Sequence, residues 1–188
     1  MVSKKNMKKS NNFALISTYD KDGLEGLCKI FEKYRINIIS TDSTSQYIIS
    51  KGLKCFPLSY FTKSKELLGG KVKTLNTKLH ASLLFDRNDI DQKKSFLKLN
   101  FPIIDFVIVN LYPFKESIKK TGHIEKSLTM IDIGGPTLLR SSAKNFVSVT
   151  TISDSKDYSK LIKNIILHNG KTSLDFRKKM AEKAFNKT

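Results

Sequence analysis

The stretch IDIGGPTLLRSSAKN, residues 131–145, carries an acid, two adjacent glycines, a proline and two bases. Glycines followed by proline and a weakly amphipathic run predict a helix that begins at them. A helix N-terminus receives anions, because its first N–H groups are unpaired and its dipole is positive there. Asp132 and Lys144, flanking that start, are residue types that move protons. Four further polar stretches suit the same chemistry: STYDK (17–21), STDST (40–44), GGKVKTL (69–75) and VNLYPF (109–114). Hydroxyls of Ser17, Thr41, Ser43 and Thr44 with backbone amides could cradle a phosphate, and Lys21 or Lys71 would add charge. Taken one at a time, these residues are also ordinary turn and N-cap formers. Lys73 and Lys144 sit in glycine-flanked segments in which a lysine can be desolvated. Asn110 and Tyr112 end an apolar run, and Pro113 stops the strand. Tyr112 reads equally as a hydroxyl aimed into a cleft and as a core residue with a wet tip. His80 and His123 lack metal-ligand spacing, and His80 reads as a surface or core residue of a helix.

The elements that must position these residues follow from hydrophobic periodicity. NFALIST (12–18) predicts a buried strand, and DKDGLEGLCKIFEKYR a helix with Leu24, Leu27, Cys28, Phe31 and Tyr34 on one face. INIIST (36–41) predicts a strand, TSQYIISKG a short helix ended by Gly52, and LKCFPL a third strand. This βαβαβ order with short connections requires a parallel sheet covered by helices. Residues 59–100 are less regular. IIDFVIVNLY (103–112) is a nearly unbroken apolar run of the kind a central parallel strand shows, FVSVTTIS (146–153) predicts a further strand, and two amphipathic helices close the chain. In such sheets ligands collect outside the carboxyl ends of the strands.

Composition narrows the function. A chain of 188 residues with 39% hydrophobic residues can bury the core of one domain. No apolar run is long enough to span a membrane, and MVSKKNMKKS has neither the apolar region nor the cleavage site of a secretory leader. Cys28 and Cys55 have no metal-binding spacing and read as reduced core residues, so a cytoplasmic protein without metal is expected. The net charge of +17 invites nucleic acid. Against that, only four of the 34 basic residues are arginine, the residue of base readout, and the lysines are scattered. A small anionic substrate would profit from the same field.

GGKVKTL, NLYPF and IDIGGPTLLRSSAKN, in this order and spacing, resemble the inosine monophosphate (IMP) cyclohydrolase half of the bifunctional purine-biosynthesis enzymes. STYDKDGL resembles that family's opening motif, and FRKKMAEKAFNKT its closing helix. The resemblance implies an α/β fold, a methylglyoxal synthase-like three-layer sandwich with a mainly parallel sheet. It would occupy residues 13–188 after a basic tail of residues 1–12, with the transformylase half absent from this chain. It further implies closure of the purine ring of 5-formamidoimidazole-4-carboxamide ribotide with loss of water, the last step of IMP synthesis, with no cofactor or metal. The partner implied is a nucleotide substrate, with a homodimer in the full-length family and no membrane or specific nucleic acid. By motif position the catalytic set becomes Lys73, Tyr112, Asp132 and Lys144. Asp132 and Lys144 would serve proton transfer at the carboxamide, and Lys73 and Tyr112 the formyl oxygen; which residue is acid and which is base stays open. The substrate contacts become Ser17, Lys21, Thr41, Ser43, Thr44, Lys71, Thr74, Asn110, Ile133 and Gly134, with Gly134 and Gly135 admitting the substrate's base closely.

Departures from the family pattern concentrate in the phosphate cradle. A glycine-rich S-T-G-G-T is here Ser40-Thr41-Asp42-Ser43-Thr44, which loses both glycines and adds a carboxylate. The arginine of G-R-V-K-T-L-H-P is Lys71, the histidine Asn76 and the proline Thr77, while position 19 is Tyr in place of Ser. Weakened phosphate binding is the expected cost. The alternative functions are a degenerate low-activity copy and a non-catalytic phosphate-ligand regulatory module on the same fold.

Overall fold

The computed structural model describes residues 12–63, 72–112 and 131–188. The tail before Asn12, and with it Lys71, Pro113 and His123, lie outside the described residues. Five strands form one parallel sheet: β1 (Asn12–Thr18), β2 (Asn37–Ser40), β3 (Phe56–Pro57), β4 (Ile103–Asn110) and β5 (Thr150–Ile152), ordered β3-β2-β1-β4-β5. From β1 the sheet grows in both directions, so its topological switch point lies between β1 and β4.

Helices cover both faces, because alternate strand residues on each face are apolar. Ala14, Ile16, Ile38, Phe106, Ile108 and Ile152 face α1 (Leu24–Lys33), α2 (Asp42–Ser50) and α7 (Tyr158–Leu167). Phe13, Leu15, Ile39, Val107 and Val109 face α4 (Thr77–Leu84) and α6 (Gly134–Lys144). The last helix, α8 (Leu174–Lys187), gives Met180 to the first layer and Ala181 and Ala184 to the second, closing the β5 side. Phe31, Leu27 and Leu138 are fully buried, and each such side chain contributes about 1.5–3 kcal/mol. The fold is therefore the three-layer α/β sandwich that the resemblance implies.

Several boundaries differ from the sequence expectation. The second helix begins at Asp42, two residues early, with extended Thr41 as its N-cap. The third strand shrinks to Phe56–Pro57, because Pro57 cannot donate to the ladder and α3 (Leu58–Thr62) starts immediately. The irregular middle contains α4 and α5 (Ile90–Lys98); α5 buries only Phe96, so its polar sequence carries little periodic signal. Only Thr150–Ile152 of the expected 146–153 strand pairs with the sheet. Cys28 and Cys55 are free and buried, and burial pushes their thiols up to about 12 and about 11.

Candidate functional site at the carboxyl edge of the sheet

Parallel register sets the ends of β1, β2 and β4 side by side, with Ile16 opposite Ser40 and Thr18 opposite Asn110. Asn110 pins the turn after β1: its Oδ1 accepts the N–H groups of Tyr19 (2.6 Å) and Asp20 (3.1 Å), and its Nδ2 donates to the Asp20 carbonyl (2.7 Å). Lys21 Nζ folds back to the carbonyls of Thr18 and Tyr19 at 3.5 and 3.3 Å. The Tyr19 ring lies 4.7 Å from that of Tyr112, so the tyrosine at the divergent position 19 props the tyrosine of the NLYPF motif. Tyr112 is 45% exposed at the sheet edge.

Hydroxyls line the β2–α2 junction. Thr41 Oγ1 donates to Ser17 Oγ at 3.2 Å, and Thr44 Oγ1 bridges the Thr18 backbone, donating to its carbonyl and accepting its N–H. Thr18 Oγ1 is buried without a hydrogen-bond partner among the described residues. Asp42 occupies the first turn of α2, where the helix dipole favours a carboxylate. Its Oδ2 is 3.9 Å from Lys73 Nζ. Both side chains are more than a third exposed, so the pair is worth under about 1 kcal/mol. Ser43 is exposed and, like Asp42, helical, so neither position needs a glycine's backbone freedom; the departure from the family pattern there is electrostatic.

The second half of the site is assembled by close packing at the start of α6. A Cβ on Gly134 would lie 2.0 Å from Thr74 Oγ1. One on Gly135 would lie 2.3 Å from Asp132 Oδ2 and 2.7 Å from Leu111 Cδ2. The two glycines thus let the Lys73–Thr74 turn, the end of β4 and Asp132 converge. Asp132 Oδ1 accepts the Gly135 N–H at 3.0 Å, so the anion received by this helix N-terminus is the chain's own carboxylate. Pro136 needs no N–H in this first turn.

His80, read from sequence as an unremarkable helix residue, bridges Thr74 O (3.1 Å from Nε2) and Ser141 Oγ (3.0 Å from Nδ1). It ties the Lys73–Thr74 turn to α6. A carbonyl only accepts, so Nε2 is the donor to Thr74 O. No spacing rule marked it.

Ser17, Lys21, Thr41, Thr44, Lys73, Thr74, Asn110, Tyr112, Asp132 and Gly134 therefore lie on the loops and helix start at one edge of the sheet. Ile133 is the exposed N-cap of α6, and Ser43 points to solvent. Lys144 is not with them. It ends α6, an eleven-residue helix about 15 Å long, on the exposed side and half a helical turn round from Gly135. Asp132 and Lys144 do not form a pair within one chain. Among the described residues no group of three or more His, Cys, Asp and Glu could hold a metal ion, and no helix is long and apolar enough to cross a membrane.

A parallel sheet covered by helices on both faces defines a doubly wound α/β domain, and its hydroxyls, lysines and carboxylate gather at the switch point, where such sheets take their ligands. The chain belongs to the MGS-like domain family, which residues 23–137 match; residues 142–188 match the AICARFT/IMPCHase bienzyme family. It is similar to proteins named bifunctional purine biosynthesis protein PurH: 42% identical to that of Fusobacterium nucleatum over 93% of this chain, 41% to that of Clostridium beijerinckii over 92%, and 38% to that of Rhizobium rhizogenes over 93%. The chain spans about a third of the length of these relatives (34%, 34% and 32%). A crystal structure of ForH superimposes with a TM-score of 0.80 at 27% identity, covering 94% of this chain and 93% of that one.

Proposed function

We propose that the chain is an IMP cyclohydrolase that works in the cytoplasm without metal or cofactor. The observation that carries this reading is the convergence of Lys73, Tyr112 and Asp132 on one sheet edge, through the contacts of Gly134 with Thr74 and of Gly135 with Asp132 and Leu111. The 5′-phosphate of the formylated ribotide lies among the Ser17, Thr41 and Thr44 hydroxyls with Lys21. The carboxamide nitrogen attacks the formyl carbon as Asp132 accepts its proton. Lys73 and Tyr112 donate to the formyl oxygen, which becomes a hydroxyl and then leaves as water with a second proton. Loss of the remaining proton from the ring completes IMP.

Lys144, a helix length away, serves the site of a second copy in a homodimer. Equimolar mixing of Asp132→Asn and Lys144→Ala chains then restores about a quarter of the parent activity, because half of the dimers are mixed and each holds one intact site. Absence of recovery would sink the shared site.

The regulatory reading has one observation in its favour: Asp42 stands in the phosphate cradle and pairs with Lys73. An absorbance assay of ring closure on the formylated ribotide, run in chelator, decides between the two. Turnover supports the cyclohydrolase. No conversion above background by folded protein at millimolar substrate, with IMP still bound in calorimetry, supports the regulatory module.

A further inference from the structure

At the amino edge of the sheet, one length of β4 and roughly 20 Å from the site above, lies a cavity of about 320 Å³. Its charged walls are Arg87, Lys171 and Arg177 against a single carboxylate, Asp105. Register explains how the carboxylate comes to be there. Phe13 pairs with Ile104 and Ala14 with Phe106, so Asp105 is the extra residue of a β-bulge, a device that re-aims one side chain. Arg87 Nη1 donates to Asp105 Oδ1 at 2.5 Å, and its Nη2 to the Ile104 carbonyl at 2.7 Å. Arg87 Nε is buried and has no partner among the described residues. Arg177 is fixed by donating to the carbonyls of Phe146, Val147 and Thr172. Burial and then the nearby Arg87 charge lower the pKa of Arg177, so the two guanidiniums stand within electrostatic reach of one another. Three cations face one carboxylate, an imbalance that an added anion offsets.

We propose that this cavity is a binding site for a phosphate-bearing small molecule, held by Arg87 and Lys171 in the field of Arg177. Phosphate fits better than a carboxylate, because a second negative charge matches the two uncompensated positive ones. The volume lies at the lower end of small-molecule sites and exceeds a bare phosphate, which leaves room for an organic body.

Amide NMR titration of the isotope-labelled chain tests it, because the peaks separate this edge from the carboxyl edge. Inorganic phosphate or ribose 5-phosphate, added at constant ionic strength, is expected to shift Ser148, Gly170, Lys171 and Thr172 with saturation by about 10 mM. Lys171→Glu reverses one exposed charge and leaves the Arg87–Asp105 pair intact; it is expected to weaken these shifts about tenfold. Lys21→Ala, at the opposite edge, is expected to leave them unchanged. Saturation by inorganic phosphate alone identifies free phosphate as the ligand, and saturation by ribose 5-phosphate only identifies a phosphomonoester. Shifts that chloride reproduces, that Lys171→Glu leaves intact, or that are absent with both probes overturn the site.

Discussion

The two edges of the sheet solve opposite electrostatic problems. At the carboxyl edge the starts of α2 and α6 bring unpaired N–H groups, and carboxylates stand beside them: Asp42 in the first turn of α2, and Asp132, which accepts the Gly135 N–H. At the amino edge helix ends and strand starts bring carbonyls, and the chain answers with guanidinium: Arg87 on Ile104, and Arg177 on Phe146, Val147 and Thr172. Handedness and parallel topology dictate this division before any function is selected. The lesson is that the groups the carboxyl edge offers for chemistry, Lys73, Asp42 and Tyr112, are exposed, whereas the amino-edge arginines hold connections together. Chemistry and stability are therefore separable by edge.

The sharpest way to break that separation is Asp132→Asn. The amide keeps an acceptor for the Gly135 N–H but cannot take a proton, so turnover is expected to fall by about 10²–10⁴ with an unchanged melting temperature. Steady-state ring-closure kinetics beside thermal denaturation read both. Arg87→Ala is the converse: loss of a partly buried pair and of a clamp on a carbonyl is expected to cost about 3 kcal/mol of stability, while turnover per folded molecule stays within about twofold. Denaturant melts measure it, and a rate loss comparable with that of Asp132→Asn would show that the edges are coupled. Asp42→Asn sharpens the reading of the carboxyl edge. Removing one negative charge near a partly exposed phosphate is expected to lower the Michaelis constant about fivefold with little change in turnover, the mark of binding shared by ground and transition states. A raised constant would mean that the Lys73–Asp42 pair positions the lysine.

The smallest effect concerns pH. Burial pushes Asp157 up, but Lys183 at 2.7 Å and Lys160 at 3.2 Å outweigh it, and its carboxyl lies below the ordinary range. A folded-state pKa below the unfolded one adds stability that is complete above the ordinary aspartate value and lost as pH falls through the folded one. Asp157→Asn is therefore expected to be less stable than the parent near neutral pH, the difference narrowing on acidification; melting temperatures across an acid series follow it.

Much of this was legible in the sequence wherever one physical term dominated. β4 is an apolar run because both its faces are covered, and no other element suits such a run. The motif residues point to one sheet edge because parallel strands end there together. What could not be read are features set by distant partners. The 146–153 strand is cut short because Asn145–Ser148 form a turn whose neighbouring carbonyls Arg177 takes, thirty residues on. His80 acquires its role from Ser141, sixty-one residues away, and no local pattern encodes that contact. Lys144 looks close to Asp132 along the chain, but the helix between them turns proximity in sequence into separation in space. The Asp42 carboxylate was visible, whereas its helical backbone, which makes the lost glycines immaterial there, was not.

The contact between Gly134 and Thr74 has an evolutionary corollary. A methyl group added at 134 meets Thr74 Oγ1 at 2.0 Å but Thr74 Cβ only at 3.3 Å, so the obstacle is almost wholly the hydroxyl. Gly134→Ala on its own is blocked. After Thr74→Ala the same step needs only a few tenths of an ångström of relaxation. The two positions form an ordered, epistatic pair: one path between the double variant and the parent is open and the other is closed. A suppressor screen beginning from Gly134→Ala should therefore return to residue 74 before any other position.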